Sequence, residues 1–270
     1  MAHDYSTYEH LLFERPQDGV LLITISRPER FNATNARLHT ELTYVWRDVE
    51  ADPETRVAVI TGKGSDFSAG GDLDLFDELG NFEAIAQIAA EASDLVLNIV
   101  NCPKPIISAI NGPAVGAGLA AAFMADISVI AEDARVTDGH LRIGVGAGDH
   151  AAIIWPLLCG MAKAKYLLMT AEFVDGREAE RIGLVSRCEP AERVVPVALE
   201  IAGRLAAGPQ HALRWTKRTL NHWLRVATPT FDASLAYEML CFLGEDMHEG
   251  LAAIREKREP RFPSARSVEG

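Results

Sequence analysis

Two glycine-containing segments of this chain, Phe67-Ser-Ala-Gly-Gly-Asp-Leu73 and Gly112-Pro-Ala-Val-Gly-Ala-Gly118, share one arrangement. Each comes after a β-branched apolar run that reads as a strand, and each leads into a helical pattern. Glycine lets a backbone turn sharply and approach a ligand with no side chain in the way. The first N–H groups of a helix are unpaired and lie at the positive end of its dipole. Two such turns facing one another would offer two donors to one oxygen that becomes negative in a transition state. Neither segment is a nucleotide signature: the third glycine of GxGxxG and the GK[ST] of a P-loop are both missing.

A second constellation lies downstream, where His140 precedes Asp149 by nine residues in Arg135–Pro156. An imidazole near its neutral pKa can act as a general base, and a carboxylate can orient it and stabilise its charged form. His3, His10, His211, His222 and His248 show no ligand spacing, so no metal site is expected.

The scaffold for these residues can be read from pattern. Strands are expected at Val20–Ile25, Val57–Ile60, Ile106–Ile110, Asp126–Ala131 and Arg135–Thr137. Helices are expected at Ala36–Glu50, Leu73–Leu79, Phe82–Val100 and Leu119–Met124. From Ala151 onward helices dominate, among them Gln210–Trp223, Phe231–Leu243 and the amphipathic Glu249–Lys257. This is an α/β core, residues 1–207, followed by a helical region, 208–270, with Gly208-Pro209 as the hinge.

At 270 residues and 48% hydrophobic content the chain can bury a full core. A net charge of -12 argues against nucleic-acid binding, so an anionic ligand needs a local device. The four cysteines are far apart and form no CxxC, which suits buried thiols in a reducing compartment. No apolar run approaches the roughly 18 residues of a membrane span. The first residues lack the basic and apolar segments of a signal peptide, so a cytoplasmic location is expected.

In this frame the chain resembles the enoyl-CoA hydratase/isomerase (crotonase) superfamily. The matching text is Ser26-Arg-Pro-Glu-Arg-Phe-Asn-Ala33, Ser68-Ala-Gly-Gly-Asp-Leu73, Lys104–Gly112, Gly116-Ala-Gly118 through Asp126, Gly183-Leu-Val185 and Glu249-Gly through Phe262. The resemblance implies a spiral of ββα units with a C-terminal helical trimerisation region, assembled as a homotrimer or a dimer of trimers. It implies an acyl-CoA substrate, with coenzyme A part of the substrate and no tightly bound cofactor. The oxyanion donors would be the N–H groups of Gly71 and Ala117. Ala69, Asp72 and Gly116 would border the substrate, and Arg30 would reach a phosphate.

Hydratases of this superfamily carry two glutamates that position and deprotonate water; here the matching positions are Ala120 and His140. Alanine transfers no proton, so two-glutamate hydration is not expected. The segment around His140 resembles instead the oxocamphor hydrolase type, which cleaves a C–C bond in a β-diketone. Asp138-Gly139, His140, Gly148-Asp149 and Trp155-Pro156 carry that likeness. It extends to Glu238 in Leu235-Ala-Tyr-Glu238 and to His39, for which packing and substrate contact are equal alternatives. Glu238 is read as catalytic or as a salt-bridge partner, and Asp126 as structural. His150, next to Asp149, is expected to turn its ring elsewhere. Two departures stand out: that hydrolase has a histidine where this chain has Ala117, and a tryptophan near Thr34. It also lacks the intact Ala-Gly-Gly-Asp loop. Three readings follow: an enzyme acting on a CoA thioester or β-dicarbonyl compound through a stabilised enolate, a non-catalytic acyl-CoA binder, and a CoA-independent diketone hydrolase.

Overall fold

The computed structural model describes residues 3–79 and 81–265. Among the described residues nine strands form two sheets. β1 (Leu11–Gln17), β2 (Val20–Ile25), β3 (Val57–Gly62), β4 (Ile106–Ile110), β6 (Ile127–Ala131) and β9 (Arg187–Glu189) lie side by side in that order. β1 and β2 run antiparallel; the other neighbours are parallel. β5 (Ala114–Val115), β7 (Arg135–Thr137) and β8 (Val174–Asp175) form the second, smaller sheet. Every residue of β3 and β4 is buried, as expected of parallel strands covered on both faces.

The helices are α1 (Ala36–Ala51), α2 (Leu73–Glu78), α3 (Phe82–Asn101), α4 (Gly116–Phe123), α5 (Ala151–Cys159), α6 (Met161–Thr170), α7 (Gly176–Arg181), α8 (Ala191–Ala206), α9 (Gln210–Leu220), α10 (His222–Val226), α11 (Thr228–Cys241) and α12 (Glu245–Glu256). A strand in the large sheet, a strand in the small sheet and a helical segment recur: β4, β5, α4, then β6, β7 and a 3-10 turn at His140–Ile143. After β3 the small-sheet position is held by one residue, Ser68, bridged to Ala114. This is a spiral of strand–strand–helix units. It places the start of α2, the start of α4 and the turn after β7 at one end.

Four short or edge strands, β1, β5, β8 and β9, were not expected from pattern. β1 buries little beyond Leu11, so it lacks the apolar signature. The expected helix at Gln210–Trp223 breaks at Asn221 into α9 and α10, while α11 starts three residues early, with Pro229 in its first turn where no N–H is needed. Leu224, Phe231, Leu235, Met239 and Leu251 of the C-terminal helices belong to the same buried cluster as the sheet residues. The two regions therefore share one core. Asp126 is structural: it accepts the N–H of Ile106 at 2.8 Å and pairs with buried Lys217 at 2.7 Å, tying α9 to the start of β4. No helix among the described residues is long and apolar enough to cross a membrane.

Candidate active site

The two glycine-containing turns are stitched together by their backbones. Pro113 O accepts the N–H groups of Phe67 and Ser68, both at 3.0 Å, and Ser68 O accepts that of Val115 at 2.9 Å. On the other side, Thr34 N–H donates to Gly70 O at 2.7 Å and Asp72 N–H to Thr34 O at 2.9 Å. In such a parallel bridge the residue between the two pairing groups, Gly71, turns its own N–H away from Thr34. Gly116 stands across from it. A Cβ placed on Gly116 would lie 3.2 Å from Gly70 Cα and 3.5 Å from Gly71 N, and its φ of +57° is one that side chains disfavour. Ala117 is the second residue of α4, so its N–H has no partner inside the helix.

A cavity of about 240 Å³ opens on these turns. Ala69, Gly71, Gly116, Asp138 and His140 line one part of it; Phe76, Ile143, Phe173 and Ile254 are among its apolar walls.

His140 sits among three acids. Its Nδ1 is 3.0 Å from Asp138 Oδ1, while its Nε2 is 3.4 Å from Glu238 Oε1 and 3.9 Å from Asp149 Oδ2. Burial alone would push its pKa down, but the charges of Asp138, Asp149 and Glu238 outweigh that and hold it well above the ordinary histidine value. The three carboxylates thus favour the imidazolium form of His140. Burial acts the other way on Glu238, whose carboxyl is pushed up to about 7 despite the attraction of His140. Glu238 Oε2 and Asp138 Oδ2 are buried with no hydrogen-bond partner among the described residues. Asp149 is held below the carboxylate range: burial would raise it, but His150 and His140 outweigh that.

The expected orienting bond from Asp149 to His140 is therefore not the one formed. Gly139 takes a φ of +81°, which folds the Asp138 carboxylate back onto the ring two residues later. Asp149 Oδ1 is engaged by the backbone N–H of His150 at 2.7 Å and by its ring Nδ1 at 2.6 Å. His150 is fully buried and turns toward Asp149, not elsewhere.

A model of the enoyl-CoA hydratase/isomerase family matches residues 15–265. The chain belongs to this family. It is 31% identical over 262 residues to a crotonyl-CoA hydratase of Syntrophomonas wolfei, covering 95% of this chain and 99% of that one. An enoyl-CoA hydratase/isomerase from Mycobacterium paratuberculosis superposes with a TM-score of 0.86 at 32% identity, covering 92% and 99% of the two chains. A β-diketone hydrolase from the cyanobacterium Anabaena, solved with (S)-3-oxocyclohexyl acetic acid, superposes with a TM-score of 0.82 at 27% identity, covering 88% and 96%.

Within this crotonase fold the remaining sequence candidates divide. Ala69 and Gly116 border the cavity. Asp72 does not offer a free carboxylate: it caps α2 through Asp74 N–H and pairs with the buried Arg27 guanidinium at 3.1 Å. Arg27 also donates to Ala33 O, so the same guanidinium joins Asp72 to the end of its own loop. His39 is buried 2.8 Å from Glu91 and joins α1 to α3, which is the packing alternative. Arg30 is exposed, 3.9 Å from Asp74, and does not line the cavity. Glu238 does meet His140. Gly148 makes room for it, since a Cβ there would lie 2.6 Å from Glu238 Cβ.

Sequence reasoning missed Asp138 and His150 as partners within the cluster. An Asp-Gly-His string, with glycine able to reverse the chain, was the available signal for the first. The donor atoms of Asp138, His140 and Asp149 lie within 4.8 Å of one another, close enough to hold a metal ion, where no metal cluster was expected. His140 Nδ1 is already engaged by Asp138 Oδ1.

Proposed function

We propose that this crotonase-family chain hydrolyses a C–C bond in a β-dicarbonyl substrate carried as a CoA thioester. The observation that supports it is the placement of His140: it lines the cavity beside Gly71 and Gly116 while three carboxylates surround its ring. Two-glutamate hydration lacks its parts, since Ala120 cannot move a proton.

The chemistry follows from the proton count. His140 first passes a proton to Glu238, whose raised pKa makes it a reservoir near neutrality. The neutral imidazole then takes a proton from water, and the water oxygen bonds to one carbonyl carbon of the substrate. The bond between that carbon and its neighbour breaks, giving a carboxylic acid and an enolate. The electron pair of the broken bond rests on the enolate oxygen, held by the N–H groups of Gly71 and Ala117. His140 returns its proton to the enolate carbon and recovers one from Glu238. Asp138 keeps the ring oriented throughout. Arg30 approaches a CoA phosphate in this reading, and the assembly is a homotrimer or dimer of trimers. The exposed Trp215, Leu220 and Trp223 on α9 and α10 would be covered there.

Turnover of a panel of cyclic and linear β-dicarbonyl compounds, free and as CoA thioesters, tests this. Cleavage that His140→Ala abolishes is expected. Hydration of crotonyl-CoA with no cleavage of any β-dicarbonyl would overturn it, and binding without any turnover would favour a non-catalytic acyl-CoA binder. A second reading, a hydrolase of free diketones, draws on the free acid bound to the Anabaena enzyme. No heat of binding for CoA or acetoacetyl-CoA at millimolar concentration would select it over the first.

A further inference from the structure

Arg142 is the one cavity-lining cation among the described residues that neither mechanism uses. It sits on the same 3-10 turn as His140 and lines the same cavity. Its guanidinium is fixed: Nε and Nη2 donate to Ala171 O at 3.2 and 3.1 Å, and its carbon lies 4.7 Å from the centroid of Phe173. Ala171 presents that carbonyl from a left-handed conformation, φ +49°, disfavoured for a residue with a Cβ. A second guanidinium, that of Arg135, stands 4.3 Å from the same ring and adds to the positive field.

What both arginines lack is a carboxylate. In a chain of net charge -12, Arg15, Arg27, Arg47 and Arg181 are all ion-paired, yet no acid among the described residues lies within 4.0 Å of Arg142 or Arg135. The carboxylate in the cavity wall, Asp138, is bonded to His140. Much of the rest of the wall is apolar. Arg142 thus presents a pre-oriented fork whose outer edge is unused, and planar carboxylates fit such a fork.

We propose that Arg142 selects a substrate whose acyl or ketone part carries a carboxylate, and that it is the specificity-determining residue for that group. The inference rests on the cavity being the substrate site, as read above. It does not depend on which bond is cleaved there.

Calorimetry on two matched ligand pairs tests it, with wild type, Arg142→Leu and Arg142→Lys. The pairs are 3-oxoadipyl-CoA against 3-oxohexanoyl-CoA, and 3-oxocyclohexyl acetic acid against its methyl ester. Wild type should prefer the carboxylate member of at least one pair by about tenfold or more, the scale of a charge-assisted contact. In Arg142→Leu the ratio of the two dissociation constants should fall to about one, and Arg142→Lys should keep part of it. A ratio is insensitive to the folded fraction, so poor folding of a variant does not mimic the result. No preference in wild type, an unchanged ratio in Arg142→Leu, or no binding by either pair overturns the inference. So does an equal loss for both thioesters with no change in the free pair, which would assign Arg142 to the CoA phosphates. Carboxylate preference without C–C cleavage leaves it standing and overturns the hydrolase reading alone.

Discussion

Replacing Glu238 by Gln should make the protein more stable at alkaline pH, in an amount set by its burial. The carboxyl is 4% exposed and held at about 7, against an ordinary value of 4.5. The folded state therefore binds this proton more tightly than the unfolded chain does. Stability from it is fully present below about 4.5 and is lost as pH rises through about 7. At 1.36 kcal/mol per pH unit, the full loss is about 3 kcal/mol. Glutamine keeps the shape and has nothing to titrate. Urea unfolding of both proteins at pH 4 and pH 9 measures the effect. The variant's stability relative to wild type should rise by about 3 kcal/mol between those limits, with most of the change between pH 5 and 7. Other titrating groups are common to both proteins and largely cancel in the difference, except His140, which loses one of the three charges that raise its pKa and is followed separately by its ring signals in NMR. A flat difference across that window would refute the argument, because Glu238 would then be ionised at no cost.

Three further outcomes follow from the same geometry. His140→Ala should lower turnover of the substrate that is found by about 10²-fold or more, and retention of more than about a tenth of the activity would remove it as the proton carrier. Asp138→Asn should bring the His140 pKa down toward the ordinary histidine value, read from its ring signals in a pH titration by NMR, because it deletes the largest of the charges that raise it. Gly116→Ala forces a Cβ into the space beside Gly70 and Gly71 and should cost kcat about 10²-fold with a smaller effect on KM, the signature of a misplaced oxyanion donor.

The large parallel strands and the two glycine turns were legible because their signals are local: β-branched runs and small residues before helices. That the two turns face one another followed from their order along the chain. The proton cluster was partly legible, since His140, Asp149 and Glu238 could be named through resemblance. Which carboxylate holds the ring could not. That depends on Gly139 reversing the chain so that Asp138 reaches Nδ1, and on His150 capturing Asp149 first. The fate of Asp72 was equally hidden, because its partner Arg27 comes from a loop 45 residues away. Spacing along a chain ranks candidates, while competition among near neighbours decides their bonds.

The origin of Glu238 has a consequence for biosynthesis. His140 lies on the 3-10 turn after β7 and Asp149 just before α5, but Glu238 arrives much later, on α11. A ribosome-bound chain that has finished its sheets would hold the imidazole and two acids with the third seat empty. Its proton balance is completed only when the last helices emerge and dock. In the mechanism proposed above, chemical competence would thereby wait for α11, and a cut in the Gly208-Pro209 segment that let that helix leave would remove the third acid without touching either glycine turn.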